Sequence, residues 1–313
     1  MKKTAQAFAP AAISSFFEIC DQTSNGKPIT DLEQVGARGG GFGLQKGVLT
    51  EVSVSESKTN SIHVFINGHA APEAHTTKAV LEMLLTNTSG AYNVVANHKI
   101  DVPIGAGFGT SAGGALTAAL ALKEALDLPL TFNQVGKAAH VAEIQCQTGL
   151  GTVSSLALCG GCVLVVAPGA PGTCVVDRIP ITPGYVVVAG VFKSVAKKAV
   201  LSLPERRREV NRFGRKTLDA ILAGPSLENF LGCCWQFAQD AGFATERVRQ
   251  LVHLAKQAGA VGAAQNMVGE AVHAVALEAN ASDVAEAFKQ VLPQENVIVS
   301  KIDFQGARLM GKA

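Results

Sequence analysis

The sequence predicts a mixed α+β or α/β protein in two domains, and three observations carry that prediction. Helical and strand-like patterns mix in both halves with no internal repeat, which excludes a solenoid and a sandwich. A chain of 313 residues can bury two cores. Composition shifts near Pro180–Gly184, which divides residues 1–182 from 183–313. Hydrophobic content of 48% with 17% charged residues suits a compact chain and argues against disorder. A net charge of +2 makes no electrostatic case for nucleic acid. No run reaches the ~20 apolar residues of a membrane span. The start Met1-Lys2-Lys3-Thr4 mimics a secretory leader, but Pro10 interrupts its apolar part and Glu18 follows, so a cytoplasmic protein is expected.

In order, residues 4–19 read as a first strand followed by a turn, and 20–34 as a polar loop. A glycine-rich element, Gly36–Gly43, precedes an alternating segment at Val48, Val52 and Val54. With Ile62, Val64 and Ile66 that segment suggests a hairpin. Thr76–Leu85 is helical in pattern, and Tyr92–Val102 is an extended segment stopped by Pro103. Ala115–Leu126 is a helix. Thr131 with Gln134 forms a capping box for another helix, running to about Cys146. His140 and Glu143, three apart, share a face of it. Gly149-Leu150-Gly151 ends that helix, and Cys162–Ala167 is a strand. Beyond Gly184 come a strand at Tyr185–Phe192, helices near 204–223, 226–241 and 245–258, and a third glycine-rich stretch, Ala258–Ala264. The segment Gly269–Leu277, a helix at Ser282–Val291 and a strand at Asn296–Ile302 complete the chain. The seven cysteines read as reduced thiols. Cys159-Gly160-Gly161-Cys162 lacks the second pair that a zinc site needs and reads as strand core.

The chemistry centres on Pro103-Ile104-Gly105-Ala106-Gly107-Phe108-Gly109-Thr110-Ser111-Ala112, which lies between a strand and a helix, the arrangement that holds a phosphate. No lysine lies between Lys99 and Lys123, so this is not a P-loop. Neither Gly105 nor Gly107 starts a Gly-x-Gly-x-x-Gly dinucleotide fingerprint. The string Pro-x-x-x-Gly-Phe-Gly-Thr-Ser-Ala resembles the phosphate loop of the GHMP small-molecule kinases. Ala9–Ile19, Arg38–Thr50, Ala139–Glu143, Thr148–Gly151, Pro168–Gly172, Lys198–Ser202 and the third glycine stretch resemble, in order, the archaeal pantoate kinases of that family.

The resemblance implies an α+β GHMP fold, with an N-terminal α/β nucleotide-binding domain and a ferredoxin-like C-terminal domain. It further implies an ATP-dependent kinase of a small hydroxy acid, pantoate by resemblance, with no nucleic-acid or membrane partner and a homodimer as one option. Pro103, Gly105, Gly107, Gly109, Thr110, Ser111 and Ala112 would cradle ATP. Ser111 and Glu143 would hold Mg²⁺, and Arg38, His140 and Lys198 would face the acceptor. Three positions depart from the pattern: Thr152 stands for the aspartate taken as base, Ala37 for a serine and Leu164 for a carboxylate-binding arginine. Arg38, Arg178, Lys193, Lys197 and Lys198 are candidate substitutes for that arginine, with a solvated helix face as the alternative reading of Lys197 and Lys198, as it is the reading of Arg206-Arg207-Arg208. These losses leave two alternatives, a kinase for a different hydroxy acid or a retired nucleotide-binding paralogue with a regulatory role.

Overall fold

The computed structural model describes residues 2–86, 88–194 and 204–311. In chain order its elements begin with β1 (Lys3–Cys20), β2 (Gly36–Ser57), β3 (Ser61–Ile66), β4 (His69–Ala70), α1 (His75–Leu85) and β5 (Ala91–Ile100). Next come α2 (Thr110–Leu126), α3 (Phe132–Gln145), α4 (Thr152–Leu158), β6 (Cys162–Ala167) and β7 (Val175–Ile179). The remainder is β8 (Tyr185–Ser194), α5 (Pro204–Ala223), α6 (Leu227–Asp240), α7 (Glu246–Gln257), β9 (Gly262–Gln265), β10 (Gly269–Leu277), α8 (Ala281–Lys289), β11 (Val297–Lys301) and β12 (Arg308–Leu309).

The first sheet grows from the long antiparallel pair β1–β2 and runs β12-β1-β2-β5-β3-β4, with β6 and β7 continuing from β2. Glycine is obligatory in this pair. A Cβ at Gly41 would lie 1.7 Å from the Ile13 carbonyl oxygen, beside a β-bulge between Ser14 and Phe16. The glycine-rich element Gly36–Gly43 is therefore the first part of β2. The expected hairpin between β2 and β3 is not formed: β5 pairs antiparallel with β2, and β3 lies beyond it, parallel to β5. Alternation identified both strands, but it carries no information about which strand becomes the neighbour. α4 and β7 are further elements that the pattern did not reveal.

The second sheet is antiparallel throughout, in the order β11-β8-β10-β9. With helices between β8 and β9 and between β10 and β11, it has the ferredoxin-like β-α-β-β-α-β arrangement. The change of sheet falls between Ile179 and Tyr185, although β12 returns to pair with β1.

α2 is apolar almost all round, as a helix enclosed by other elements should be. Its residues from Ala112 to Leu122 are all buried against β1, β2, α1 and α3. An aromatic cluster packs the first sheet against α6: Phe42 packs edge-on to Phe230 with ring centroids 5.4 Å apart, and Phe16 meets Phe230 and Phe237 at 6.2 and 6.3 Å. No helix among the described residues is long and apolar enough to cross a membrane.

Two buried histidines tie these layers together. His98 on β5 bonds Thr50 of β2 through Nδ1 at 2.6 Å and Thr77 of α1 through Nε2 at 3.1 Å. His273 on β10 bonds Ser15 of β1 through Nε2 at 3.0 Å and Asn266 through Nδ1 at 2.8 Å. Burial lowers their pKa values to about 4 and about 3. Both are neutral in the fold at pH values where the unfolded chain, titrating near 6.5, already binds a proton. Stability from this source is complete above pH 6.5. It should fall below that, by up to about 1.4 kcal/mol per pH unit for each histidine. Urea unfolding midpoints should be level from pH 8 to 7 and decline from pH 6.5 to 4. A flat profile through that window would mean the imidazoles are protonated in the fold without cost.

Candidate active site

The loop from Pro103 to Gly109 leads directly into α2. Gly105, Gly107 and Gly109 have φ of 79°, 83° and 62°, in the left-handed region that favours glycine. Gly109 is the N-cap of α2, and no side chain caps that helix end. The first-turn N–H groups at Thr110, Ser111 and Ala112 thus have no intrahelical acceptor and lie at the positive end of the helix dipole. The loop is pinned from two sides. Ala12 N–H donates to the Phe108 carbonyl at 2.9 Å, and a Cβ at Gly107 would lie 3.1 Å from Asn266 Cβ. Asn266 and Met267, just after β9, lie against Gly107, while Gly262–Ala264 belong to β9 itself.

A chain of hydroxyls leaves the loop. Ser111 Oγ donates to Thr76 Oγ1 at 3.2 Å, and Thr76 Oγ1 bonds Thr148 Oγ1 at 3.0 Å. Thr148 in turn reaches the Glu143 carbonyl at 3.4 Å from its hydroxyl and 3.1 Å from its N–H. Glu143 is buried on α3. Its carboxylate lies directly on Gly149, where a Cβ would come within 2.3 Å of Oε1. Ser111 and Glu143 offer the hard oxygen donors that Mg²⁺ takes when phosphates and water complete its shell. Among the described residues no cluster of three or more His, Cys, Asp or Glu could hold a metal without such help.

On the other side of Thr152 opens a cavity of about 600 Å³ between β1, β2, the turn after α3 and Met267–Val268. Its walls are mainly apolar, including Phe16, Ile29, Leu32, Leu150, Val163 and Val165. Thr152 marks the junction with the glycine loop, because a Cβ at Gly109 would lie 2.8 Å from Thr152 Cγ2. Ala37 faces the same corner, with its N atom 3.3 Å from where a Gly151 Cβ would be. Among the described lining residues the one carboxylate is Asp21, which is paired with Arg207. Arg38 also lines the cavity; its Nη1 meets buried Glu18 at 3.3 Å, and its Nε is buried without a hydrogen-bond partner. Glu18 is shared with Arg215 at 2.7 Å.

Other expected contacts fall elsewhere. His140 does not line the cavity: it is fully buried, and its Nε2 bonds the Val35 carbonyl at 2.9 Å, holding the loop before β2 against α3. Burial lowers its pKa. Leu164 faces away from the cavity into the shared core, while its strand neighbours Val163 and Val165 face in. A one-residue offset in a strand exchanges its faces, so Leu164 cannot stand where a cavity arginine would. Lys197 and Lys198 lie outside the described residues, as does the side chain of Lys193, and Arg178 is exposed on β7. Cys162 is buried in β6, and burial pushes its thiol pKa up. Arg207, read from the sequence as part of a solvated face, lines the cavity. Thr76 and Asn266 were also missed, since isolated polar residues in ordinary contexts carry no spacing signal, and Thr148 stood only as the start of a matched segment, with no role of its own.

A GHMP kinase N-terminal domain model matches residues 75–161, which hold the glycine loop, Ser111, Glu143 and Thr152. That segment is similar to the N-terminal domain of the GHMP kinases. Pantoate kinase of Methanocaldococcus jannaschii is 27% identical over 282 residues, covering 90% of this chain and 96% of that one. The Thermococcus kodakarensis pantoate kinase is 29% identical over 295 residues, covering 93% of each. A solved structure described as a phosphotransferase related to the CoA biosynthesis pathway superposes with a TM-score of 0.83, at 27% identity and over 98% of both chains.

The Gly149–Glu143 contact gives a test of the acidic group. Gly149→Ala has no backbone obstacle, and its methyl can be accommodated by moving the carboxylate, the flexible end of a side chain. Stability should stay within about 1 kcal/mol of the parent while activity falls at least about tenfold. Thermal melts with steady-state rates check this; a fully active Gly149→Ala would show that the carboxylate position is immaterial.

Proposed function

We propose that this protein is a GHMP kinase that transfers the γ-phosphoryl group of ATP to the primary hydroxyl of pantoate, giving 4-phosphopantoate for coenzyme A synthesis. The observation that carries the reading is the junction at Thr152. There an uncapped helix N-terminus suited to phosphates adjoins an apolar cavity suited to a small branched acid. The pantoate kinases matched over nine-tenths of this chain supply the substrate's name.

In this scheme Gly105–Ala112 hold the ATP phosphates through backbone N–H groups. Ser111 and Glu143 would hold Mg²⁺, which when bound neutralises charge on the phosphate oxygens. The apolar walls hold the aliphatic body of the acceptor and exclude water. Arg38, anchored by Glu18, turns its remaining guanidinium donors to the acceptor carboxylate, which a planar guanidinium recognises well. Thr152 orients the acceptor hydroxyl. No carboxylate stands at that corner among the described residues, so the proton leaves to a phosphate oxygen or to water. A loose phosphoryl-transfer transition state leaves positioning and charge stabilisation as the main demands on the protein. His140 acts at one remove, by fixing the loop that borders the cavity.

Incubation with ATP, Mg²⁺ and a panel of hydroxy acids, read as ADP formed above the no-acceptor control, should single out pantoate. Ser111→Ala and Glu143→Gln should each lower that rate by at least about a hundredfold, as expected for groups acting on transition-state charge. Turnover with another acid alone would reassign the substrate, and no turnover with any would remove the kinase proposal.

A further inference from the structure

We propose that Thr76 is a positioning residue for the metal-binding hydroxyl of Ser111, and that Thr76 and Thr148 together couple Ser111 to Glu143. The inference rests on the kinase reading above and assigns a role to two residues outside the glycine loop. A serine that ligates a cation does so through an oxygen lone pair, so its proton must be directed to an acceptor elsewhere. Ser111 has such an acceptor in Thr76 Oγ1, 3.2 Å away. The Thr76 proton can pass on to Thr148 Oγ1 at 3.0 Å, and the Thr148 hydroxyl ends the chain on the Glu143 carbonyl at 3.4 Å. Each hydroxyl donates once, and a carbonyl with no proton to place closes the series. The direction is thereby fixed, with the Ser111 lone pairs turned away from Thr76.

Three features support a dedicated role. Thr76 is only 5% exposed, so water does not compete for its hydroxyl. It lies in the first turn of α1, whose N-cap is Ala74 with no side-chain cap, and its bonds go to the site and not to the helix end. The next residue, Thr77, is held by His98 at 3.1 Å, which fixes the first turn of α1 against β5. The turn that carries Thr148 also carries Gly149, on which the Glu143 carboxylate rests. Thr76 is therefore the link between the helix that bears Ser111 and the turn that supports Glu143. Groups that orient a metal ligand commonly change metal affinity or activity by about 10–100-fold when removed.

The test is a Mg²⁺ titration of Thr76→Val, Thr76→Ser and the parent, with two readouts. One is the Mg²⁺ concentration giving half-maximal ADP formation with pantoate. The other is the Mg²⁺ concentration giving half of the ATP-induced rise in Tm, which needs no turnover. Thr76→Val should raise both by about 10–100-fold, with KM for pantoate unchanged, and Thr76→Ser should restore both. If Thr76→Val does not fold, Thr148→Val breaks the same chain one link on and should raise both midpoints in the same sense. Unchanged midpoints in the folded variant, or a Thr76→Ser variant as impaired as Thr76→Val, would overturn the proposal. Parent protein that binds ATP but turns over no hydroxy acid would sink the kinase reading instead, while the melting readout would still decide the role of Thr76.

Discussion

The structure depends on one close approach, that of the Gly109 backbone to Thr152 and to β1. A Cβ on Gly109 would lie 2.8 Å from Thr152 Cγ2 and 3.1 Å from Ala12 Cβ, with φ already at 62°. The approach brings the N-terminus of α2 to the wall of the cavity. Several features serve it. The glycines of β2 let β1 lie close, the bulge at Ser14–Phe16 turns Ser15 toward His273, and the turn at Gly149–Gly151 starts α4 with Thr152 in place. The second sheet contributes from across the core, with Asn266 against Gly107 and the Met267 N–H donating to the Ser14 carbonyl at 2.7 Å.

The division of labour follows from these supports. The phosphate side is made of backbone and short polar groups: N–H donors at a helix end, and hydroxyls in series from Ser111 to Glu143. The acceptor side is made of bulk, with apolar walls and two arginines already partly neutralised by Glu18 and Asp21. An arginine already paired with a buried carboxylate costs less to desolvate than a bare one and keeps a fixed orientation. That suits a site that must select a single acid group and release its product.

Much of this was legible in the sequence where a feature is local. The helix from Thr131 has both halves of its capping box, with the Thr131 N–H donating to Gln134 at 2.8 Å and the Gln134 N–H to Thr131 at 3.3 Å. The glycine loop between a strand and a helix was also read directly, and its glycines take the positive φ that glycine permits. Non-local features were not legible. The neighbour of β2 is β5, decided by crossover topology and not by alternation. The face on which Leu164 sits depends on a register that a one-residue offset in matching reverses. His140 and Arg207 exchanged their expected places, because neither type nor spacing tells a cavity from a buried loop contact. Lys198 lies outside the described residues.

Phosphoryl transfer at the Gly109–Thr152 junction without a carboxylate base, with Thr152 only orienting the acceptor hydroxyl, is tested most directly by the rate constant kcat of Thr152→Ala with pantoate and saturating Mg²⁺·ATP. Losing one neutral hydrogen bond worth about 1 kcal/mol should lower kcat by no more than about tenfold. A loss beyond about a thousandfold, the scale of a general base, would contradict the account and give the threonine a chemical part in the reaction.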